Sequence, residues 1–182
     1  MRLFASVDVD ELSEEIRAIQ APLVGLSGVR TTDPADAHVT MKFLGEDEHD
    51  LAALSDAIER AVETADIGPF EATIAGVGAF PSSEYIRIIW LGVGRGAQQL
   101  SDLHEELAAE TTALGYEAEG HEFTPHVTLA RMENAASKGE VQGFLEEEDP
   151  EIGPLRVEEL RLKESTLSSG GSDYRTVERF EL

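Results

Sequence analysis

The sequence contains no cysteine, which excludes disulfides, thiolate nucleophiles and thiolate metal sites. Lysine is scarce, with Lys42, Lys138 and Lys163 the only examples. Aromatic residues make up 6% of the chain, and Trp90 is the single tryptophan. No apolar run is long enough to cross a bilayer, so no membrane span is expected. The opening stretch MRLFASVDVDEL places acidic residues where a secretory signal would carry its apolar segment, and a cytoplasmic location is the expectation. Positive charge is the largest shortage: 14 Lys and Arg stand against 37 Asp and Glu, a net charge of -23.

What is present is a normal apolar share, 41% of the 182 residues. Acid runs such as GEDEHD and EEEDPE therefore mark a folded, highly acidic surface rather than disorder. Such a surface repels itself at low ionic strength and is screened at high salt, which fits a salt-rich cytoplasm and a halophilic origin. It also repels a nucleic-acid backbone, so extended duplex binding is not expected. A short contact with one phosphate stays open. The length suits one domain, or one domain built from two similar lobes.

Apolar spacing alternates between strand and helix patterns. RLFASVDV reads as a strand, and Leu12, Ile16 and Ile19 then recur at helical intervals up to Pro22. AHVTMKFL is a strand ended by Gly45, and Leu51, Leu54, Ile58, Ala61 and Val62 form the apolar stripe of a helix. FEATIAGVGAF and YIRIIWLGV make a hairpin around PSSE. A second long helix carries Leu100, Leu103, Leu107 and Leu114. EFTPHVTLARM is again a strand, EVQGFLEEE a short helix or turn, and RVEELRLKES and YRTVERFEL are closing strands. The expected class is α+β, with antiparallel sheets flanked by helices. Each half has one His-Val-Thr strand and one long helix, but the helix follows the motif in the first half and precedes it in the second.

Two of the five histidines open the same triplet, in DAHVTMKFLG and in TPHVTLARM. On a strand, side chains two apart share a face, so His38 and Thr40 project together while Val39 and Met41 point to the core. His126 and Thr128 do the same. Side by side, the two strands would gather two imidazoles and two hydroxyls in one small volume. Lys42 shares the parity of His38 and is read as a solvated strand end. His49 and His104 are expected on exposed helical surface, and Phe80 in the core. Tyr174 is a candidate for stacking on a base. His121 stands near the second motif, where it is a candidate for substrate contact. GVGRGAQ lacks the spacing of a dinucleotide fingerprint, and no P-loop is present.

These segments resemble the two-histidine phosphoesterases, and within them the RNA 2',3'-cyclic phosphodiesterases, also called LigT-like or 2'-5' RNA ligase-like. RLFASVDVDE resembles the family's opening strand, HVTMKFLG and FTPHVTLAR its two signature motifs, GVGAFPSSEYIRIIWLGV its central hairpin, and LKESTLSSGGSDYRTVERFEL its C-terminal segment. The resemblance implies one bilobal domain over residues 1–182, with two sheets and a central groove between pseudo-symmetric lobes. It implies hydrolysis of RNA ends or small nucleotides carrying a 2',3'-cyclic phosphate, without metal or cofactor. It also implies that Arg131, five residues after His126, contacts the phosphate. Strict alternation puts Arg131 on the face opposite His126, so that contact requires the strand to end or bulge.

The chemistry can be argued from the side chains alone. Opening a cyclic phosphodiester needs a base for the attacking water, an acid for the departing ribose oxygen, and donors for the charge on phosphorus. Two histidines supply the first two because imidazole titrates near neutral pH, and Thr40 and Thr128 can donate to the phosphate oxygens. By analogy with the family, His38 is the acid and His126 the base. Rival readings are a noncatalytic module that binds RNA ends or cyclic nucleotides, and a metal site built from the two histidines and nearby acids. The charge balance gives a first prediction: the thermal unfolding midpoint rises between dilute buffer and molar potassium chloride, and an unchanged midpoint would identify an ordinary acidic mesophilic surface.

Overall fold

The computed structural model describes residues 1–182. Its nine strands are β1 (Arg2–Asp8), β2 (Val29–Thr31), β3 (His38–Gly45), β4 (Phe70–Pro81), β5 (Ile86–Val93), β6 (His126–Met132), β7 (Glu151–Val157), β8 (Glu159–Ser168) and β9 (Gly171–Glu181). The α-helices are α1 (Ser13–Gln20), α2 (Leu51–Ala65), α3 (Ala97–Ala113) and α4 (Lys138–Glu147). No helix is long and apolar enough to cross a membrane.

The strands run in the order β7-β4-β5-β6-β3-β1-β8-β9, with β2 added alongside β6. Every pairing is antiparallel. The two sheets expected from sequence are the two halves of this path, β7-β4-β5-β6 and β3-β1-β8-β9, and they meet at the pair Val39–Val127. Helices α2 and α3 pack together, with α2 against β9 and α3 against β3, whereas α1 contacts β6 and α4 contacts β4. Two helices therefore cross over: α1 leaves the half containing β1 and packs on the other, and α3 leaves the half containing β5 and packs on the first. The crossing produces one continuous apolar core of 33 residues that draws on both halves, and it accounts for the offset order of motif and helix along the chain.

Several boundaries differ from the sequence reading. RVEELRLKES is two strands: Leu155 and Val157 are buried in one half, and Leu160 and Leu162 in the other. The change of parity between Val157 and Leu160 marks the crossing at Glu158. The strand β2 carried no periodic signal over its three residues. Helix α3 ends at Ala113, leaving Leu114 exposed, and Thr111 takes the last core position.

The central strands share an irregularity that alternation cannot anticipate. In β3, Thr40 faces Ser6 while Lys42 faces Ala5, leaving Met41 unmatched. In β6, Thr128 faces Trp90 while Ala130 faces Ile89, leaving Leu129 unmatched. Each is a bulge one residue beyond the His-Val-Thr triplet, and each reverses the facing of the residues after it. Lys42 is consequently not a solvated strand end. It is 2% exposed, donates to the Glu117 carbonyl at 2.8 Å and lies 3.7 Å from Glu119.

A bulge leaves a backbone carbonyl without its ladder partner, and a buried carbonyl must find another. The Met41 oxygen lies 2.7 Å from His104 Nδ1, a ring stacked on Phe123 at 4.0 Å and 3.2 Å from Glu119 through Nε2. The Leu129 oxygen accepts from Gln20 Nε2 at 3.0 Å and from the Thr32 amide at 2.9 Å. His104 is therefore buried rather than exposed. His49 is half-buried, held by the Tyr116 hydroxyl and the Met1 carbonyl. Replacing His104 by Leu strands the Met41 carbonyl and is expected to cost about 2 kcal/mol, measured by urea unfolding in molar potassium chloride. A cost near zero would show that water satisfies that carbonyl instead.

Candidate active site

Antiparallel pairing centred on Val39 and Val127 has a direct geometric consequence. One position along, His38 comes beside Thr128 and Thr40 beside His126, on the face opposite the two buried valines. His38, Thr40, His126 and Thr128 line one cleft of about 310 Å3. Arg131 lines it too, because the bulge at Leu129 turns its side chain toward His126. The sequence reading required a bulge for that placement, and the bulge is there.

Both histidines are held alike. His38 Nδ1 lies 2.8 Å from the Asp36 carbonyl and His126 Nδ1 lies 2.6 Å from the Thr124 carbonyl, each two residues upstream. A carbonyl only accepts, so Nδ1 carries hydrogen in both rings. Nε2 is then the atom each ring uses in chemistry, with a lone pair when neutral and a proton when charged. Aromatic rings fix the planes. Phe4 and Tyr174 flank His38 at 5.2 and 5.3 Å, and Phe80 meets His126 edge-on at 4.9 Å with Trp90 at 6.1 Å.

Phe80 is thus a neighbour of His126 rather than a core residue, and it also packs on Trp90 at 5.1 Å. The indole of Trp90 lies against Gly78, where an added Cβ would come within 2.2 Å of the ring. Gly78 is a seat for the indole, and any side chain there would displace Trp90, a neighbour of His126. Tyr174 lines the cleft, and His121 is exposed near His126.

Burial depresses the pKa of both imidazoles below the ordinary value of 6.5, because the charged form is disfavoured away from water. The charges around them differ. His126 is lowered further by Arg131 and His121. His38 is lowered further by Lys163 and raised by Asp8.

The His38 wall contains a charge cluster that sequence reasoning missed. Asp8 accepts from Arg161 Nη1 at 2.6 Å, from Lys163 Nζ at 3.1 and 3.2 Å, and from the buried Ser6 hydroxyl at 3.0 Å. Lys163 Nζ also sits 5.4 Å from the Tyr174 ring centre. Asp36 lines the cleft with a carboxyl pKa raised by burial and by Asp33. The available signal was Phe4, Ser6 and Asp8 at alternate positions of an apolar strand. The bond of Asp8 to Lys163, 155 residues away, had none.

Comparison with known proteins identifies the family. Residues 8–166 match the family model described as the 2'-5' RNA ligase superfamily. The chain is 32% identical to an RNA 2',3'-cyclic phosphodiesterase of Methanothermobacter thermautotrophicus, over 100% of this chain and 99% of that one. It is 33% identical to the Archaeoglobus fulgidus protein of the same name, over 100% of both. Among solved structures, TT0787 of Thermus thermophilus superposes with a TM-score of 0.78 at 26% identity, covering 100% of this chain and 98% of that one. Escherichia coli LigT complexed with 3'-AMP gives 0.77 at 26% identity, covering 100% and 97%. With paired His-Val-Thr strands in one cleft, and a family match over most of its length, the chain belongs to the 2'-5' RNA ligase superfamily.

Proposed function

We propose that this protein hydrolyses RNA 2',3'-cyclic phosphate ends to 2'-phosphates, without a metal, using His126 as general base and His38 as general acid. The observation that carries the reading is the shared Nδ1 anchoring, which gives both rings an Nε2 for proton transfer at one cleft. Water attacks phosphorus as His126 Nε2 takes its proton. The P–O3' bond then breaks as His38 Nε2 protonates the leaving oxygen. The attacking and leaving oxygens occupy opposite apical positions, a demand that suits acid and base groups on pseudo-symmetric strands. Thr40, Thr128 and Arg131 donate to the nonbridging oxygens as charge accumulates.

The direction of transfer follows the family. The charges near the rings differ in kind, with Arg131 lowering His126 and with Lys163 lowering His38 more than Asp8 raises it. No three carboxylate or imidazole groups converge to hold a metal ion, and the two-histidine mechanism requires none. The substrate class follows the curated relatives, which are named RNA 2',3'-cyclic phosphodiesterase. The two halves act as one bilobal unit around the cleft, and the acidic surface restricts the partner to a single-stranded end rather than an extended duplex. With a 5'-hydroxyl in place of water, the same groups serve 2'-5' ligation.

The test is chelator-treated turnover of a short RNA ending in a 2',3'-cyclic phosphate. His38→Ala and His126→Ala are each expected to lower kcat by about 1,000-fold. Full turnover by either variant would end the two-histidine mechanism, and binding without turnover by the wild type would identify a noncatalytic module. The pH profile is a separate check. The acid must be protonated, and both imidazoles lose their proton below the ordinary 6.5, so kcat/KM is expected to peak on the acid side of that value and fall as pH rises. A maximum above pH 8 would contradict the assignment.

A further inference from the structure

In a chain this acidic, a cation without a carboxylate partner stands out. Most of the basic residues are paired, as in Arg2–Glu46, Arg60–Glu110, Arg95–Glu71 and Arg175–Glu164. Arg17, Arg87, Arg131 and Lys138 form no ion pair. Three of these four lie along one flank of the sheet. Arg131 lines the cleft, and Arg87 and Lys138 line a groove of about 200 Å3 that begins at Met132, the last residue of β6, and Glu133 after it.

Arg30 connects the two. It faces Arg131 directly across the β2–β6 pairing and also lines the cleft. Like charges opposite each other on neighbouring strands are unfavourable unless an anion lies between or above them. The carboxylate nearest Arg30 is Glu133 at 3.7 Å, with both side chains more than half exposed at 66% and 60%, a pair that a phosphate can replace. At the far end Tyr85 is 57% exposed. Arg87 donates to its hydroxyl at 2.7 Å and sits 5.3 Å over its ring, which holds the ring as a flat platform. Alternating cations and an exposed aromatic face are the composition of a single-strand track. Glu84 and Glu133 share the groove and repel phosphate, which leaves Arg30 and Arg87 as the points where a backbone can be held.

We propose that this flank binds the single-stranded RNA immediately upstream of the reacting end, with Arg30 on the first backbone phosphate and Arg87 and Tyr85 on the nucleotide beyond it. The inference rests on the cleft being the site of the terminal phosphate. It makes the protein a reader of RNA chains rather than of isolated cyclic nucleotides.

Binding separates the two ideas without needing turnover. Affinity is measured by titration calorimetry for adenosine 3'-phosphate and for a tri-adenylate ending in a 3'-phosphate, at two potassium chloride concentrations. The wild type is expected to bind the trinucleotide about tenfold more tightly than the mononucleotide. In the doubly substituted Arg30→Gln, Arg87→Gln protein the gap closes to about twofold, and the logarithmic salt slope for the trinucleotide falls by roughly 1.4, about 0.7 for each phosphate no longer neutralised. The double Lys replacement, which keeps the charge, restores most of the gap. Equal wild-type affinities, a gap that survives the Gln substitutions, or equal weakening of both ligands would each overturn the track. If the wild type binds neither ligand, the cleft assignment falls as well.

Discussion

The site depends on a single backbone contact, the pairing of Val39 with Val127. It is where the two halves of the sheet join, and it is centred on the middle residue of each His-Val-Thr triplet. An antiparallel pair of identical triplets carries a local twofold relation, so burying the two valines forces the four polar side chains to the opposite face in a diagonal arrangement. A slip of one residue would move one histidine into the core and one valine into the cleft. One pair of residues cannot hold two half-sheets by itself. The hold comes from α1 and α3, each of which begins after a strand of one half and packs on the other. The same helices, or the residues at their ends, supply Gln20 and His104 to the bulge carbonyls. The groups that secure the crossing are also the groups that stabilise the bulges.

Symmetry of backbone with asymmetry of side chain is what makes such a site useful. After equivalent bulges the first half presents Lys42 inward and Phe43 outward, and the second presents Ala130 inward and Arg131 outward. Only one half therefore sends a cation into the cleft from this position. The other half supplies its charge from β1 and β8, as the Asp8, Arg161 and Lys163 cluster, and both histidines have aromatic neighbours, Phe4 and Tyr174 on one side and Phe80 and Trp90 on the other. Two imidazoles held identically through Nδ1 are thus placed in different surroundings, one beside the Asp8, Arg161 and Lys163 cluster and one beside Arg131. A pair of chemically identical groups can divide acid and base roles only if something outside them differs.

The parts of this arrangement legible in the sequence were local ones. Alternation over three residues placed His38 with Thr40 and His126 with Thr128, and helical spacing found the long helices. Lys42 and Arg131 were misplaced or left conditional for the same reason: a bulge is decided by what satisfies its carbonyl, and His104 and Gln20 are remote in sequence from the carbonyls they serve. Phe80 looked like a core residue because its hydrophobicity says nothing of the seat that Gly78 makes for Trp90. The break at Glu158 was missed, with RVEELRLKES read as one strand, because a change of parity does not by itself say that two pieces belong to different half-sheets. The cluster around Asp8 was hidden by distance along the chain, since neighbouring strands β1 and β8 lie at opposite ends of it.

A net charge of -23 and a phosphodiester substrate look incompatible only if the whole surface acts on the substrate at once. The screening length is about 8 Å at physiological ionic strength and about 3 Å in molar salt, so carboxylates beyond that range contribute little to the field at the cleft. Groups in direct contact, partly removed from water, keep most of their strength. The protein can therefore carry an acidic exterior and still recognise an anion, provided the few cations at the site are not spent on carboxylates. Arg131 meets that condition through its position after a bulge. Lys163, although paired with Asp8, sits under Tyr174 beside His38, where its charge acts through the aromatic wall. Recognition under these conditions is a short-range matter of hydrogen bonds, stacking and desolvated charge, which is the composition of the cleft that the paired valines create.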